Sequence, residues 1–200
     1  MSRELELARE LVRKLEEAEK DNKVQLSELQ PGETFKIGEH DFIVLEQNVC
    51  NGTTNVISKG FMEKGIVFDS NTRDYNKSNL KRVIEENIQP VIESEIGAGN
   101  IIKQAVSLTS VDMQDEFKPC YCKVRPITFN EARKYNNLLV NKDLDDWWWT
   151  CTPWSTKRNG YKSSVVVVSP SGYFGNCSCR NDFGVRPFCI FSSEIFESED

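Results

Sequence analysis

Seven cysteines, one histidine and a short run of aspartates are the residues of this 200-residue chain whose types could do chemistry. Only two cysteine pairs lie close in sequence, Cys120–Tyr121–Cys122 and Cys177–Ser178–Cys179; Cys50, Cys151 and Cys189 stand apart. Two such pairs supply four thiolates, enough in number for one metal ion. Structural zinc favours spacers of about two to four residues, however, and one residue is off that pattern. In a strand, residues i and i+2 share a face, so the same spacing describes two inward-packed thiols. Thiols in a reducing compartment stay reduced and pack as small hydrophobes. Free cysteines are therefore expected, with no metal ligand assigned and no cofactor implied.

His40 is the sole histidine and lies between Glu39 and Asp41 in an expected hairpin turn. A His-centred triad or a zinc-protease pattern needs partners that a single turn residue lacks. Asp143, Asp145 and Asp146 form an acidic run before the tryptophans. Paired carboxylates do acid–base work only where a pocket perturbs them, and a polar loop is the simpler account. Phosphate-loop, nucleophile-elbow and dinucleotide motifs are absent from the sequence. No catalytic residue is assigned, and the expectation is a protein that is not an enzyme.

The elements that must position any site follow from periodicity. Residues 3–21 carry Leu5, Ala8, Leu11, Val12, Leu15 and Ala18 at helical spacing, a narrow stripe close to a heptad seam. Such a helix either packs on its own domain or docks and self-associates, because two or three heptads alone are marginal. Gln30–Pro31–Gly32 is a turn, and Thr34–Ile37 with Asp41–Leu45 predicts a hairpin around Gly38–Glu39–His40. Asn51–Gly52 is another turn, before a short strand at Asn55–Ile57. A second helix is predicted from Ser78, with Leu80, Val83, Ile84 and Ile88 on one face, interrupted by Pro90 and ending at Gly97–Ala98–Gly99. Thr128 and Glu131 form a capping box that opens a third, short helix.

From Trp147 onward the chain turns to strands and loops, with all four tryptophans, a Val165–Val168 run and a Ser169–Pro170–Ser171–Gly172 turn. Strand alternation sends Trp147 and Trp149 to one face and Trp148 to the other, as core or as the lining of a cleft. The class predicted is α+β, with helices early and the main strands late. A length of 200 residues and 38% hydrophobic content suit one domain with a short appendage. The formal charge of −6 and the want of a basic stripe argue against nucleic acid as partner. No apolar run is long enough for membrane insertion. The N-terminal residues lack an apolar signal core, so synthesis in the cytoplasm is expected, with export only as part of a larger particle such as a virion.

Five short motifs occur in order: Pro31–Gly32–Glu33–Thr34–Phe35, Tyr75–Asn76–Lys77–Ser78–Asn79–Leu80, Trp148–Trp149–Thr150–Cys151–Thr152–Pro153, Val167–Val168–Ser169–Pro170–Ser171–Gly172 and Gly184–Val185–Arg186–Pro187. Over about residues 28–192 this order resembles a family of uncharacterised bacterial and phage domains. That family is similar to the C-type-lectin-like fold shared by formylglycine-generating enzymes and by the variable proteins of diversity-generating retroelements. The resemblance implies a C-type-lectin-like domain over 28–200, behind an N-terminal helical segment over 1–27 for oligomerisation or docking. It implies a variable-type region at about 155–190. Ligand-binding side chains would be Asn159, Tyr161, Ser163, Tyr173, Asn176, Ser178, Arg180, Asn181 and Asp182. The scaffold would be Trp147, Trp148, Trp149, Trp154, Gly184, Arg186 and Pro187.

Adenine mutagenesis of Asn codons, the device of such retroelements, cannot produce Trp, Met, Gln, Lys or Glu. Gly172–Asp182 contains none of the five, although Lys162 departs from the pattern. Tyr, Ser, Asn and Gly are also the side chains adaptable binding surfaces use. The function expected is non-enzymatic recognition of a protein or glycan on a cell surface, in a phage- or prophage-encoded homo-oligomer. Two alternatives remain: a copper- or zinc-dependent cysteine oxidase akin to formylglycine-generating enzymes, and a purely structural phage component. The enzyme's copper-holding cysteines are spaced more widely than Cys177 and Cys179, and the lectin calcium motif is not recognisable.

Overall fold

The computed structural model describes Leu5, Arg9 and Glu10 and the continuous run 23–198. The first strands are β1 (Lys23–Gln25), β2 (Thr34–Ile37), β3 (His40–Asn48), β4 (Thr53–Ser58) and β5 (Glu63–Val67). Helical chain follows as α1 (Asn79–Val83), a π-helical turn (Ile84–Ile88) and α2 (Gln89–Ile96). Then come β6 (Gln104–Val106), β7 (Cys120–Cys122), β8 (Val124–Pro126), α3 (Phe129–Lys134) and α4 (Asn136–Leu139). The last third holds β9 (Trp148–Pro153), β10 (Ser164–Val168), β11 (Phe174–Ser178), β12 (Asp182–Val185), β13 (Pro187–Ser192) and β14 (Phe196–Ser198).

The class is α+β, dominated by two five-stranded sheets ordered β2-β3-β4-β13-β8 and β11-β10-β9-β12-β5. Strands are not confined to the late part of the chain, contrary to the expectation of helices first. The predicted hairpin is present, with Thr34 opposite Ile43 and Ile37 opposite His40, and β3 runs on to pair with β4. Late strand β13 then joins this early sheet through Cys189 opposite Val56. Nonlocal pairing of this kind leaves no local signature in sequence, which is why the order of elements misled. β1 and β14 pair antiparallel, so Lys23–Gln25 lies beside Phe196–Ser198 and residues from 23 onward are tied to the domain.

Of the expected N-terminal helix, Leu5, Arg9 and Glu10 are helical, and the remainder lies outside the described residues. The second helix begins where expected, with the Ser78 hydroxyl accepting from the Lys81 amide as N-cap. The interruption expected at Pro90 is a change of helix type, and the chain stays helical through it. A π-helical turn precedes the proline, and Pro90 falls in the first turn of α2, where its missing N–H costs little. Leu80, Ile84, Ile88 and Ile92 are all buried, a single row at four-residue spacing through both segments. Gly97 ends the helix at φ 80°.

The tryptophan strand divides the core as alternation requires. Trp149 lies in the larger cluster with Phe42, Phe68 and Phe191, and Trp147 packs against its margin. Trp148 faces the other way, into a smaller cluster with Ile57, Leu139 and Phe188. Trp149 satisfies its indole by donating to the Ile66 carbonyl at 2.7 Å and meets Phe183 edge-on at 4.9 Å. Burying both rings fixes β9 between two cores. β9 therefore serves as a rigid base for β10 and β11.

Candidate functional site

The scaffold residues inferred from the sequence lie inside. Trp148, Trp149, Gly184, Arg186 and Pro187 are buried, and Trp147 and Trp154 are half-buried. Arg186 has no carboxylate partner in its contacts. Its Nε donates to the Ser58 carbonyl and its Nη1 to the Leu139 carbonyl, both at 2.9 Å, while the guanidinium stacks 4.9 Å from the Trp148 ring centre. Burial pulls its pKa down to about 9, still high enough to keep the charge at neutral pH. The side chain thus pins the end of β4, the end of α4 and the tryptophan strand together. Gly184 belongs to the same closure: a Cβ there would meet the Phe61 ring at 2.5 Å.

Of the nine candidate ligand-binding residues, Asn159, Tyr161, Tyr173, Asn176, Arg180, Asn181 and Asp182 are exposed, and Ser163 and Ser178 are half-buried. They do not form one flat face. β10 and β11 are a regular hairpin with Ser164 opposite Ser178 and Val168 opposite Phe174. The loop holding Asn159, Tyr161 and Ser163 and the turn holding Ser178, Arg180 and Asn181 therefore share one end of the sheet. The Cys179 amide donates to the Ser163 carbonyl at 2.7 Å and joins them. Asp182 follows on β12, opposite Val67 of β5.

Tyr173 stands at the opposite end, at the hairpin tip, two-thirds exposed and edge-on to Trp147 at 5.9 Å. Asn176 lies midway along β11. By alternation it shares a face with Phe174, which packs on Phe129, rather than with Gly175, whose Cβ would strike Trp147 at 2.9 Å. The candidates thus divide into one cluster at the end of the sheet and two outliers, Tyr173 at the hairpin tip and Asn176 on the edge strand β11.

Asn159 and Arg180 are committed to structure as well as exposed, and Asn181 hydrogen-bonds the Cys177 side chain. Asn159 Nδ2 donates to Asp112 Oδ2 at 3.2 Å, to Gln114 Oε1 at 3.3 Å and to Ser155 Oγ at 3.0 Å. The Ser110 and Ser155 hydroxyls also donate to Asp112 and hold its carboxyl below its ordinary value. Glu116 accepts from the Lys157 amide at 2.9 Å and from the buried Arg73 guanidinium. The segment 109–117 therefore latches the 155–159 loop. Arg180 Nε donates to the Ser70 carbonyl at 2.9 Å and braces a second loop. Nothing in the sequence pairs residues 112 and 159, which are joined only by the fold.

A separate groove of about 460 Å³ runs along β6 and the start of α3. Its floor is a polar network missed in the sequence. Arg125, 2% exposed, donates through Nε and Nη2 to Gln104 Oε1 at 3.1 and 2.8 Å and through Nη1 and Nη2 to Glu131 at 2.8 and 2.6 Å. Glu131 also accepts from the Thr128 amide and hydroxyl at 2.9 and 2.7 Å. Burial opposes the Glu131 charge, but the Arg125 guanidinium outweighs it and lowers the pKa. Arg125 is held above its ordinary value by the same partner, against its own burial. The capping box at Thr128 was legible; its acid's second role depends on a strand residue six positions earlier.

The two C-x-C pairs lie on different sheets. Cys120 and Cys122 are buried on β7 with Tyr121 exposed between them, the inward-facing arrangement that alternation allows. Cys177 is half-buried on β11, and Cys179 is buried in the turn beyond it. Burial raises the pKa of Cys177 and Cys179 and pushes Cys151 up to about 12, so these thiols are protonated and weakly nucleophilic at neutral pH. Among the described residues, no three His, Cys, Asp or Glu side chains converge as a metal-holding group. His40 is half-buried where the β2–β3 hairpin turns. Among the described residues, no helix is long and apolar enough to cross a membrane. No protein-family model matches the chain, and neither a curated protein nor a solved structure does.

Proposed function

We propose that this chain is a non-catalytic recognition protein of C-type-lectin-like architecture, with its ligand-contacting side chains at the end of the β9–β12 sheet. The observation that carries this is the partition of side chains. Candidates from Asn159 to Asp182 are exposed or half-buried, whereas the scaffold residues Trp148, Trp149 and Arg186 are fully buried. Tyr161 and the Ser178–Asp182 turn form the main contact surface, and Tyr173 on Trp147 is a second, outlying contact. Rigid aromatic contact area surrounded by Ser and Asn suits adaptable binding of a protein or glycan on a cell surface.

In this proposal the N-terminal segment multimerises the domain, so that weak sites gain by avidity. The protein belongs to a phage or prophage and acts on a virion or cell-surface assembly. Deep sequencing of the coding region for 155–190 in propagated cultures of the source tests the diversification directly. Substitutions concentrated at adenines of the codons for 159, 161, 163, 173, 176, 178 and 180–182, with 184–187 fixed, support it. An even spread of substitutions contradicts it.

A further inference from the structure

We infer that the groove along β6 is a second binding site, for a small, uncharged, hydroxyl-rich molecule of one or two sugar rings. At about 460 Å³ it has the size of an ordinary small-ligand site, roughly 300–1,000 Å³. Its charge is the informative feature. The Arg125 guanidinium on its floor is spent on Gln104 and Glu131, and the Glu131 carboxylate is spent on Arg125 and Thr128. An anionic ligand finds no free buried cation there and meets only exposed Lys103 at the rim. A cationic ligand must compete with Arg125 for Glu131. Breaking a buried pair of this kind leaves an uncompensated charge, which is strongly unfavourable.

An uncharged molecule avoids both penalties and still finds hydrogen-bonding groups of both senses. Asn130 at the rim offers donors and an acceptor, and the Thr152 hydroxyl on the wall, which accepts from the Phe129 amide, keeps its own proton to donate. Between them, Phe129 and Ile190 present apolar surface suited to the C–H faces of a sugar ring. The groove is made by β6, the 107–110 loop, β8, α3, β13 and Thr152 of β9, none of which carries the candidate ligand-contacting residues of the exposed sheet end. Its occupancy is therefore independent of the function proposed above, and either can fail alone.

The test is a titration of the full chain, followed by amide chemical shifts, with glucose, galactose, mannose, N-acetylglucosamine, maltose, lactose and cellobiose, and with glucuronate and glucosamine as charged controls. At least one neutral sugar is expected to shift the amides of Gln104, Ser107 and Asn130 with a Kd near the millimolar range. Asn130→Ala should weaken that sugar about three- to tenfold, the worth of one hydrogen bond, with an unchanged melting temperature. Ala105→Trp, at an exposed position on β6, should fill the groove and abolish the shifts. No response to any neutral sugar up to about 20 mM overturns the inference. So does a response that survives Ala105→Trp, or tighter binding of glucuronate or glucosamine. Selection of an unstructured peptide instead of a sugar by the same amides also overturns it.

Discussion

The amide of Cys179 donates to the carbonyl of Ser163 at 2.7 Å, although sixteen positions separate them in the chain. That bond closes the end of the β10–β11 hairpin and sets the Tyr161 loop beside the Arg180–Asn181 turn. A second tie, from Asn159 to Asp112 at 3.2 Å, holds the same loop against segment 109–117. The exposed end of the sheet is thus shaped by a backbone bond and by a surface tie that uses Asn159, leaving its other outward side chains replaceable.

Weakening the second tie should loosen the loop without unfolding the domain. Asp112→Asn is expected to raise amide exchange across 155–161 while exchange in β9 and β10 stays slow. Acid should act likewise. The Asp112 carboxyl lies below its ordinary 3.8, so the bonds it accepts persist above that value and are lost as pH falls through the lowered one. Loop exchange in Asp112→Asn equal to that of wild type at pH 6 would contradict the latch.

The Arg125–Glu131 pair makes a stability prediction with a sign. Glu131→Ala strands a buried guanidinium and should cost about 3–5 kcal/mol, measured by denaturant unfolding at pH 7. Because the folded pKa of Glu131 is lowered from 4.5, its contribution is fully present above the unfolded value and is lost progressively as pH falls from there through the lowered folded value. The stability gap between wild type and Glu131→Gln should therefore narrow below pH 4.5. A gap that widened there would show that the carboxylate is not what holds Arg125.

Two glycines mark close approach. Gly184→Ala drives a methyl into the rigid Phe61 ring at 2.5 Å and should destabilise by about 1–3 kcal/mol. Gly175→Ala meets Trp147 at 2.9 Å and should displace the ring on which Tyr173 leans, changing tryptophan fluorescence with a smaller loss of stability. Equal, negligible effects at both positions would show that these approaches are not tight.

The proposed self-association through the N-terminal stripe predicts an effect separable from the domain. Leu11→Glu with Leu15→Glu places charges in the heptad seam and should convert an oligomer to a monomer in sedimentation velocity, with the melting of the domain preserved. Wild-type protein that sediments as a monomer at all concentrations would remove avidity from the proposal.

What could be read from sequence was local. The β2–β3 hairpin, the helix start near Ser78, the Thr128 cap and the opposite facing of Trp148 and Trp149 all follow from spacing, and the structure has each of them. At Pro90 the expected interruption takes the form of a π-helical turn, after which a further helical segment starts with the proline in its first turn and ends at Gly97. β5, β6, β7 and β8 escaped notice because they are three to five residues long and owe their pairing to distant partners. The same holds for the sites. Exposure of the loop residues was legible from their types, whereas the latch on Asn159 and the Arg125 floor join residues that only the tertiary fold brings together.

The most direct measurement is the melting temperature of a chain regrafted at Tyr161, Tyr173, Asn176, Arg180 and Asn181 with a different residue set. Exposed positions each shift stability by about half a kcal/mol or less. The grafted chain should therefore melt within about 5 °C of wild type, in one cooperative transition, while its capture of cell-surface material changes. Cooperative unfolding lost, or melting lowered by more than about 10 °C, would show these side chains to be part of the fold and not a surface offered to a ligand.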